Sequence, residues 1–305
     1  MTNLKQKAIA ALEQKKLPAF IPFTSDYGFK VTFGNEENTL FLRRSIAALI
    51  QSPHPIVRVV FNKTTFEGVT KSSRSGIFDL ACTDDQGNHF IVEMEVRAKA
   101  KFLQRLKFYG FQKIVELVRK GHGTYDNLPK IYCIGLLGKS INALPHYRNV
   151  ISLKNQDGIE VDDQIKFITV ELPKFNVRKE NIKTDLEKLI FTIKNLKRMV
   201  KEAKKSDFMK EDWIDSAVGE LNTRAFTPAQ YEAYMRHLVQ QADTQKADER
   251  KAKRLRREGE IKGEIKGVTK VVVGLLRKAM SVQLIAEAAE VDVQFVEDIK
   301  LKFGL

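Results

Sequence analysis

The chain has 305 residues, 43% of them hydrophobic and 30% charged, so a packed core is affordable and wholesale disorder is excluded. Its formal net charge is +14 and its pI about 9.6, a balance that points to a polyanionic partner, most simply nucleic acid, with an anionic membrane surface as the other source of attraction. No run of about 20 apolar residues occurs and the N-terminus has no apolar signal core, so a soluble, cytoplasmic protein is expected. Cys82 and Cys133 sit in apolar strand-like runs and read as buried thiols rather than a disulfide or a zinc site, and the five histidines show no ligand spacing.

In chain order, residues 1 to 17 are Lys-rich and read as a short helix that Pro18 and Pro22 end. Thr24, Ser25 and Asp26 are helix-capping types ahead of a periodic run in which Phe29 and Phe33 share a face. Asn38 caps a second predicted helix from Thr39 to Ile50, with Leu42, Ile46, Leu49 and Ile50 inward and Arg43 and Arg44 outward; Pro53 and Pro55 stop it. Ile56–Phe61 reads as a strand and Lys63–Gly76 as a polar loop. Lys99–Lys120 predicts a helix burying Phe102, Leu103, Leu106, Tyr109, Phe111, Ile114, Leu117 and Val118, with Gly121 as its C-cap. Lys130–Leu137 is a nearly all-apolar strand, expected to be buried on both faces. Val150–Leu153 and Ile165–Val170 are two more strands. Past Pro173 the strand signal ends. Lys174–Lys210 carries twelve Lys and Arg against five Asp and Glu, with Leu186, Leu189, Ile190, Ile193 and Leu196 at helical spacing. Asp207–Leu221 and Pro228–Gln240 read as helices and Lys246–Lys270 as a solvated helix or a linker. The last segment resembles a helix-turn-helix around Leu284, Ile285, Ala288, Val291, Phe295, Val296 and Ile299, with Glu290 where such turns favour Gly; a small helical hairpin that packs or dimerises is the plainer reading.

The chemistry-bearing stretch is Ile77–Val96, a predicted β-hairpin whose turn, Asp84 to Asn88, is dense in turn formers. Alternation puts Phe78, Leu80 and Cys82 on one face with Phe90, Val92, Met94 and Val96. The other face receives Ile77, Asp79 and Ala81 with His89, Ile91, Glu93 and Glu95. A five-residue turn sets Asp79 opposite Glu93. Like charges opposed across strands destabilise a sheet. Two readings follow: the acids are solvated on an exposed face, or they hold a hard cation such as Mg²⁺.

Four stretches in order, PFTSDYGFKVTFG, RSGIFDLAC, FIVEMEV and KFLQRLKFYG, joined later by KIYCIGLL and FITVELPKF, resemble the Rpn recombination-promoting nucleases, a transposase-like family of the PD-(D/E)XK nuclease superfamily. The resemblance spans about residues 20 to 240. It implies an α/β, restriction-endonuclease-like mixed sheet flanked by helices, followed by an all-helical C-terminal region. It implies a Mg²⁺- or Mn²⁺-dependent DNA endonuclease with double-stranded DNA as substrate, linked to recombination or mobile elements. Asp79 matches the metal-binding Asp of the family and Glu93 its second acid. Glu95 falls where the superfamily usually has Lys and this family Gln. A glutamate cannot offset developing negative charge, but it can accept a proton from water or join the metal shell. Asp26 matches an acid of the family's first helix, with a metal or water contact and a simple cap as its two readings. Lys30 is either a phosphate contact or a solvated residue. Arg74 and Arg105 either clamp a phosphate or neutralise the acidic face.

The expected division is a nuclease-like core over residues 18–175, a helical extension over 176–242, a charged linker or helix over 243–267 and a small helical tail over 268–305. Two other functions compete with cleavage: a DNA-binding protein of the same fold that cuts weakly or not at all, motivated by Glu95, and a homodimer built by the C-terminal helices.

Overall fold

The computed structural model describes residues 17–66, 76–98, 101–119, 128–201 and 207–305. The helix expected before Pro18, the Gly121 cap and Arg74 lie outside these. Two compact units emerge: Glu13–Tyr234, described from residue 17, and Met235–Leu305.

The first unit opens with helix α1, Asp26–Phe33. Its cap is Ser25, whose hydroxyl accepts from Gly28 N at 3.0 Å, so Asp26 is the first helical residue and not the cap. Ser25 Oγ and Ser25 N both donate to the Pro22 carbonyl, which folds the entering chain over the first turn. That carbonyl lies against Gly28: a Cβ at this position would collide with it. The glycine of the DYGFK stretch is therefore required by close backbone approach. Phe29 and Phe33 stack at 4.7 Å, and Phe33 meets Phe41 edge-on at 4.9 Å. Phe41, Leu42, Ile46 and Leu49 are buried along helix α2, Leu40–Ile50. Arg43 is not simply outward: its Nη1 donates to the Ile56 and Val57 carbonyls and straps the next segment to the helix.

Six strands form one mixed sheet: β1 Val59–Phe61, β4 Leu80–Asp84, β5 His89–Glu95, β6 Ile131–Leu137, β7 Arg148–Lys154 and β8 Glu160–Glu171, in the order β1-β4-β5-β6-β8-β7. β5, β6 and β8 are mutually parallel, and β1, β4 and β7 join antiparallel. The segment expected to be a loop before the hairpin contributes β2, Thr65–Phe66, which pairs with β3, Gly76–Ile77, as a separate ribbon. The predicted first arm is thus split in two at Phe78 and Asp79. β6 is buried on both faces, as its composition requires. Cys82 and Cys133 are buried free thiols, and desolvation pushes Cys82 up to about 12.

Helix α3, Phe102–Arg119, covers one face of the sheet through Phe102, Leu106 and Tyr109, which join Ala81, Ile91, Ile131, Cys133, Ile165 and Phe167 in one core cluster. Phe111 and Val118 are largely exposed, contrary to the predicted inward set, whereas Ile114 and Leu117 on the same helix still pack against the cluster. Helices α4, Asp185–Lys201, and α5, Asp212–Glu220, pack with α2. Arg44 pairs with Asp185 at 2.8 Å and lies over the Trp213 ring.

The segment predicted as a helix from Pro228 and the one predicted as a charged linker or helix are one continuous helix, α6, Pro228–Leu276. In the second unit its charged stretch is solvated, with i,i+4 pairs Arg254–Glu258 and Arg256–Glu260. Helices α7, Val282–Ala288, and α8, Val293–Phe303, close a small core of Val272, Ile285, Ala286, Val296 and Ile299. Leu284 and Ala288, expected in that core, are exposed; Ile285 is buried as expected, and Ala286 beside it turns inward. Glu290 takes φ +53°, the left-handed conformation for which such turns favour Gly. Among the described residues no helix is long and apolar enough to cross a membrane.

Gly28→Ala should lower the stability of the first unit by about 1–3 kcal/mol in urea unfolding, although Ala favours helix elsewhere, because the obstructing atom is backbone and cannot step aside. A neutral or stabilising effect would show that the α1 entry is not tight.

Candidate active site

The site begins at a turn. Asp84 N donates to the Asn88 carbonyl at 3.0 Å, Asp84 Oδ1 accepts from Gln86 N and Asn88 N, and Gly87 takes φ +83°. The register that follows runs from Thr83↔His89 to Leu80↔Val92, the one the five-residue turn predicts. The next pair in that register would be Asp79 and Glu93, but the ladder stops there. Asp79 N donates to Glu93 Oε1 at 3.1 Å, and Met94 N donates to Asp79 Oδ2 at 2.9 Å. Side-chain oxygens thus replace carbonyls as the acceptors, and each acid is fixed by backbone from the opposite arm.

The same break turns Phe78 over. It packs edge-on against Tyr109 of α3, ring centroids 4.9 Å apart, and joins Ala81 and Ile91 rather than Leu80 and Cys82 as unbroken alternation predicts. Val96, expected in the apolar wall, is exposed beyond the end of β5. Tyr109 is buried core.

The face carrying the acids is covered by α3. Glu93 is only 4% exposed. Beside it in β6 stands Gly135, where a Cβ would lie 2.5 Å from Phe102 Cε1, so the ring fills the space above that strand. Desolvation pushes the Glu93 carboxyl up to about 8, the Asp79 charge adds to the rise, and the Asp79 N–H and Arg105 oppose it. Asp79 keeps exposed surface. Burial raises its carboxyl, the Met94 N–H opposes this, Asp26 raises it further, and Arg105 and Lys30 pull it down.

Arg105, on α3, reaches both glutamates: Nη2 lies 3.3 Å from Glu93 Oε2 and 3.0 Å from Glu95 Oε2, with the guanidinium over the Phe102 ring at 5.2 Å. Glu95 is half-buried at the end of β5. Lys30 pairs with Asp26 at 3.1 Å across one turn of α1, and both act electrostatically on Asp79. Six of the seven residues singled out in the sequence, Asp26, Lys30, Asp79, Glu93, Glu95 and Arg105, are thereby linked by hydrogen bonds, ion pairs or electrostatic coupling.

A cleft of about 540 Å³ opens beside Asp79, lined also by Gly34, Glu36, Asn62, Lys63 and Thr65. Sequence reasoning passed over these. The signal for Asn62, Lys63 and Thr65 is a polar, hydroxyl-bearing run with a lysine between β1 and the acidic hairpin. Among the described residues, no three His, Cys, Asp or Glu side chains gather closely enough to hold a metal ion by themselves. Asp79 and Glu93 as an adjacent pair of hard oxygen donors do fit an ion of the Mg²⁺ type, which takes one or two carboxylates and completes its shell with water and phosphate.

A mixed sheet flanked by helices, with acids on its central hairpin, is a restriction-endonuclease-like architecture, the class of a nuclease. The chain belongs to the PD-(D/E)XK nuclease family transposases, whose family model matches residues 23–250, and its function is nuclease-like or transposase-associated. No curated protein and no solved structure matches the chain.

An acid that titrates near 8 in the fold and near 4.5 unfolded favours its protonated form when folded, so its contribution to stability declines as pH rises from about 4.5 to about 8. Glu93→Gln removes that decline. Relative to wild type the variant should gain on the order of 4 kcal/mol between pH 5 and pH 8.5, read by urea unfolding. A stability difference that does not change with pH would show an ordinary carboxyl.

Proposed function

We propose that the protein is a metal-dependent DNA endonuclease that hydrolyses backbone phosphodiesters, with Asp79, Glu93 and Glu95 as its catalytic acids. The observation that carries this reading is the reciprocal fixing of Asp79 and Glu93 beside an open cleft with Lys63 on its wall. A fold keeps two carboxylates this close, one of them desolvated, only at a cost in stability, and functional sites are where such costs persist.

In this reading Asp79 and Glu93 hold Mg²⁺ or Mn²⁺. When bound, the ion supplies Lewis-acid polarisation of a phosphoryl oxygen and lowers the pKa of a water. Glu95, the most solvent-accessible of the two glutamates, accepts the proton of the attacking water. Lys30, Lys63 and Arg105 hold backbone phosphates, and Asp26 orients Lys30. Arg74 is assigned the same phosphate-holding role. The net charge of +14 provides sequence-independent attraction to a duplex. Hydrolysis is assigned to residues 18–175, with the helices of 176–242 and 268–305 holding duplex or a second copy.

A second reading, a DNA-binding protein that does not cut, is favoured by the ion pairing of Glu95 with Arg105, which occupies the proposed base. Plasmid incubated with Mg²⁺ or Mn²⁺ separates the two. Nicking is expected, and Asp79→Ala should slow it about 10³-fold or more, the scale of losing a Lewis acid worth several kcal/mol. Salt-dependent duplex binding without nicking in either metal selects the second reading, and a fully active Asp79→Ala protein removes the metal-site assignment.

Metal binding must also expel the Glu93 proton. Mn²⁺ affinity by calorimetry should rise by up to about tenfold per pH unit below about 8 and level off above it. A flat profile would exclude Glu93 as a ligand.

A further inference from the structure

We propose that Arg105 is the built-in counter-cation of this site, holding a Glu93 oxygen for which a divalent ion on Asp79 and Glu93 must compete, and that its displacement delivers the guanidinium to the bound phosphate. The inference rests on the metal-site reading above and adds to it a residue that sets how readily the ion binds.

Glu93 has two oxygens. Oε1 accepts the Asp79 N–H, and Oε2 is the oxygen Arg105 holds. The contact is made by a single nitrogen. Nη2 alone meets both Glu93 Oε2 and Glu95 Oε2, at 3.3 and 3.0 Å, rather than the two-pronged fork that guanidinium offers one carboxylate. One guanidinium nitrogen thus bridges two carboxylates and offsets part of the charge of both. Among the described residues no three acids form a ready cage, so the bridge is the site's own counter-charge.

Arg105 is also built to leave. Its side chain is 42% exposed, whereas that of Glu93 is 5% exposed, so the cation has solvent to move into and the acid has not. It comes from α3, an element that the hairpin does not carry, and its guanidinium rests on the Phe102 ring, which is anchored in the core against Gly135. The ring gives the planar group a surface to slide on while the rest of α3 stays packed. Glu95 is the second anchor of this pair. Arg105 acts through the carboxylates it holds and is in that sense a positioning residue.

The test is Mn²⁺ binding to the full-length protein by isothermal titration calorimetry at pH 8.0, for wild type, Arg105→Gln and Arg105→Lys. Removal of one positive charge from a partly exposed site should tighten Mn²⁺ binding about tenfold in Arg105→Gln. The same variant should unfold at lower temperature in EDTA, because two close carboxylates lose their counter-charge. Arg105→Lys, which keeps the charge, should bind Mn²⁺ as wild type does. Equal or weaker binding by Arg105→Gln overturns the inference and leaves the metal site standing, as does tightening by the Lys variant to the same degree. Absence of Mn²⁺ binding in both wild type and Arg105→Gln overturns the metal-site reading and this inference together. Should Arg105→Gln fail to fold, a crystal of the wild-type protein soaked in Mn²⁺ decides: Nη2 is expected to have left Glu93 and Glu95, and its remaining on both beside a bound ion overturns the proposal.

Discussion

Two carboxylates held against each other at the broken end of a β-ladder set the constraint around which this molecule is arranged. Glu93 lies in the middle of the sheet, on its most continuous parallel segment, with almost no access to water. Such a group is tolerated only if its oxygens are satisfied or its charge is offset. Both devices are present. The Asp79 N–H takes one oxygen and Arg105 the other. The pairing also explains why the strand stops at Asp79: its N–H is committed to a side chain, so the ladder has nothing to continue with, and the chain is free to leave for the ribbon formed by Gly76–Ile77.

Helix α3 links core and site in one element. Phe102, Leu106 and Tyr109 recur at three- and four-residue spacing and bury against the sheet, while Arg105 in the same two turns faces the acids. Phe102 serves both ends, closing over Gly135 and supporting the guanidinium. A shift of α3 that loosened the core would therefore also move the charge that balances Glu93. Helix α1 adds the other side of the electrostatic frame. Its rigid entry, made by the Pro22 carbonyl packed on Gly28, sets Asp26 and Lys30 within electrostatic reach of Asp79.

Much of this was legible in the chain. The five turn formers from Asp84 to Asn88 specified the hairpin register, and that register alone brought Asp79 and Glu93 together. The apolar run of β6 announced a strand buried on both sides. Other features were not legible, for identifiable reasons. Alternation placed Phe78 with Leu80, but alternation holds only while the strand is unbroken, and the break is caused by a hydrogen bond to a side chain fourteen positions away. Asp26 read as a cap because Ser25 and Asp26 are equally good capping types; the choice fell to Ser25 because the Pro22 carbonyl holds it in place. Phe111, Val118 and Leu284 carried the right period for burial, yet a helix buries only the part of its stripe that meets another element.

What the sequence determined by itself is local and additive: turn chemistry, strand register, helix periodicity and the acids that one hairpin must juxtapose. The tertiary structure decided what depends on residues distant in the chain. It covered the acidic face with a helix and so raised Glu93 rather than leaving it solvated. It chose Arg105, from a different element, as the group that faces Glu93 and Glu95, and it opened the cleft between Lys63 and Asp79. The physical reason is that desolvation and charge pairing are properties of a site's whole surroundings, and those surroundings exist only once separate elements have packed.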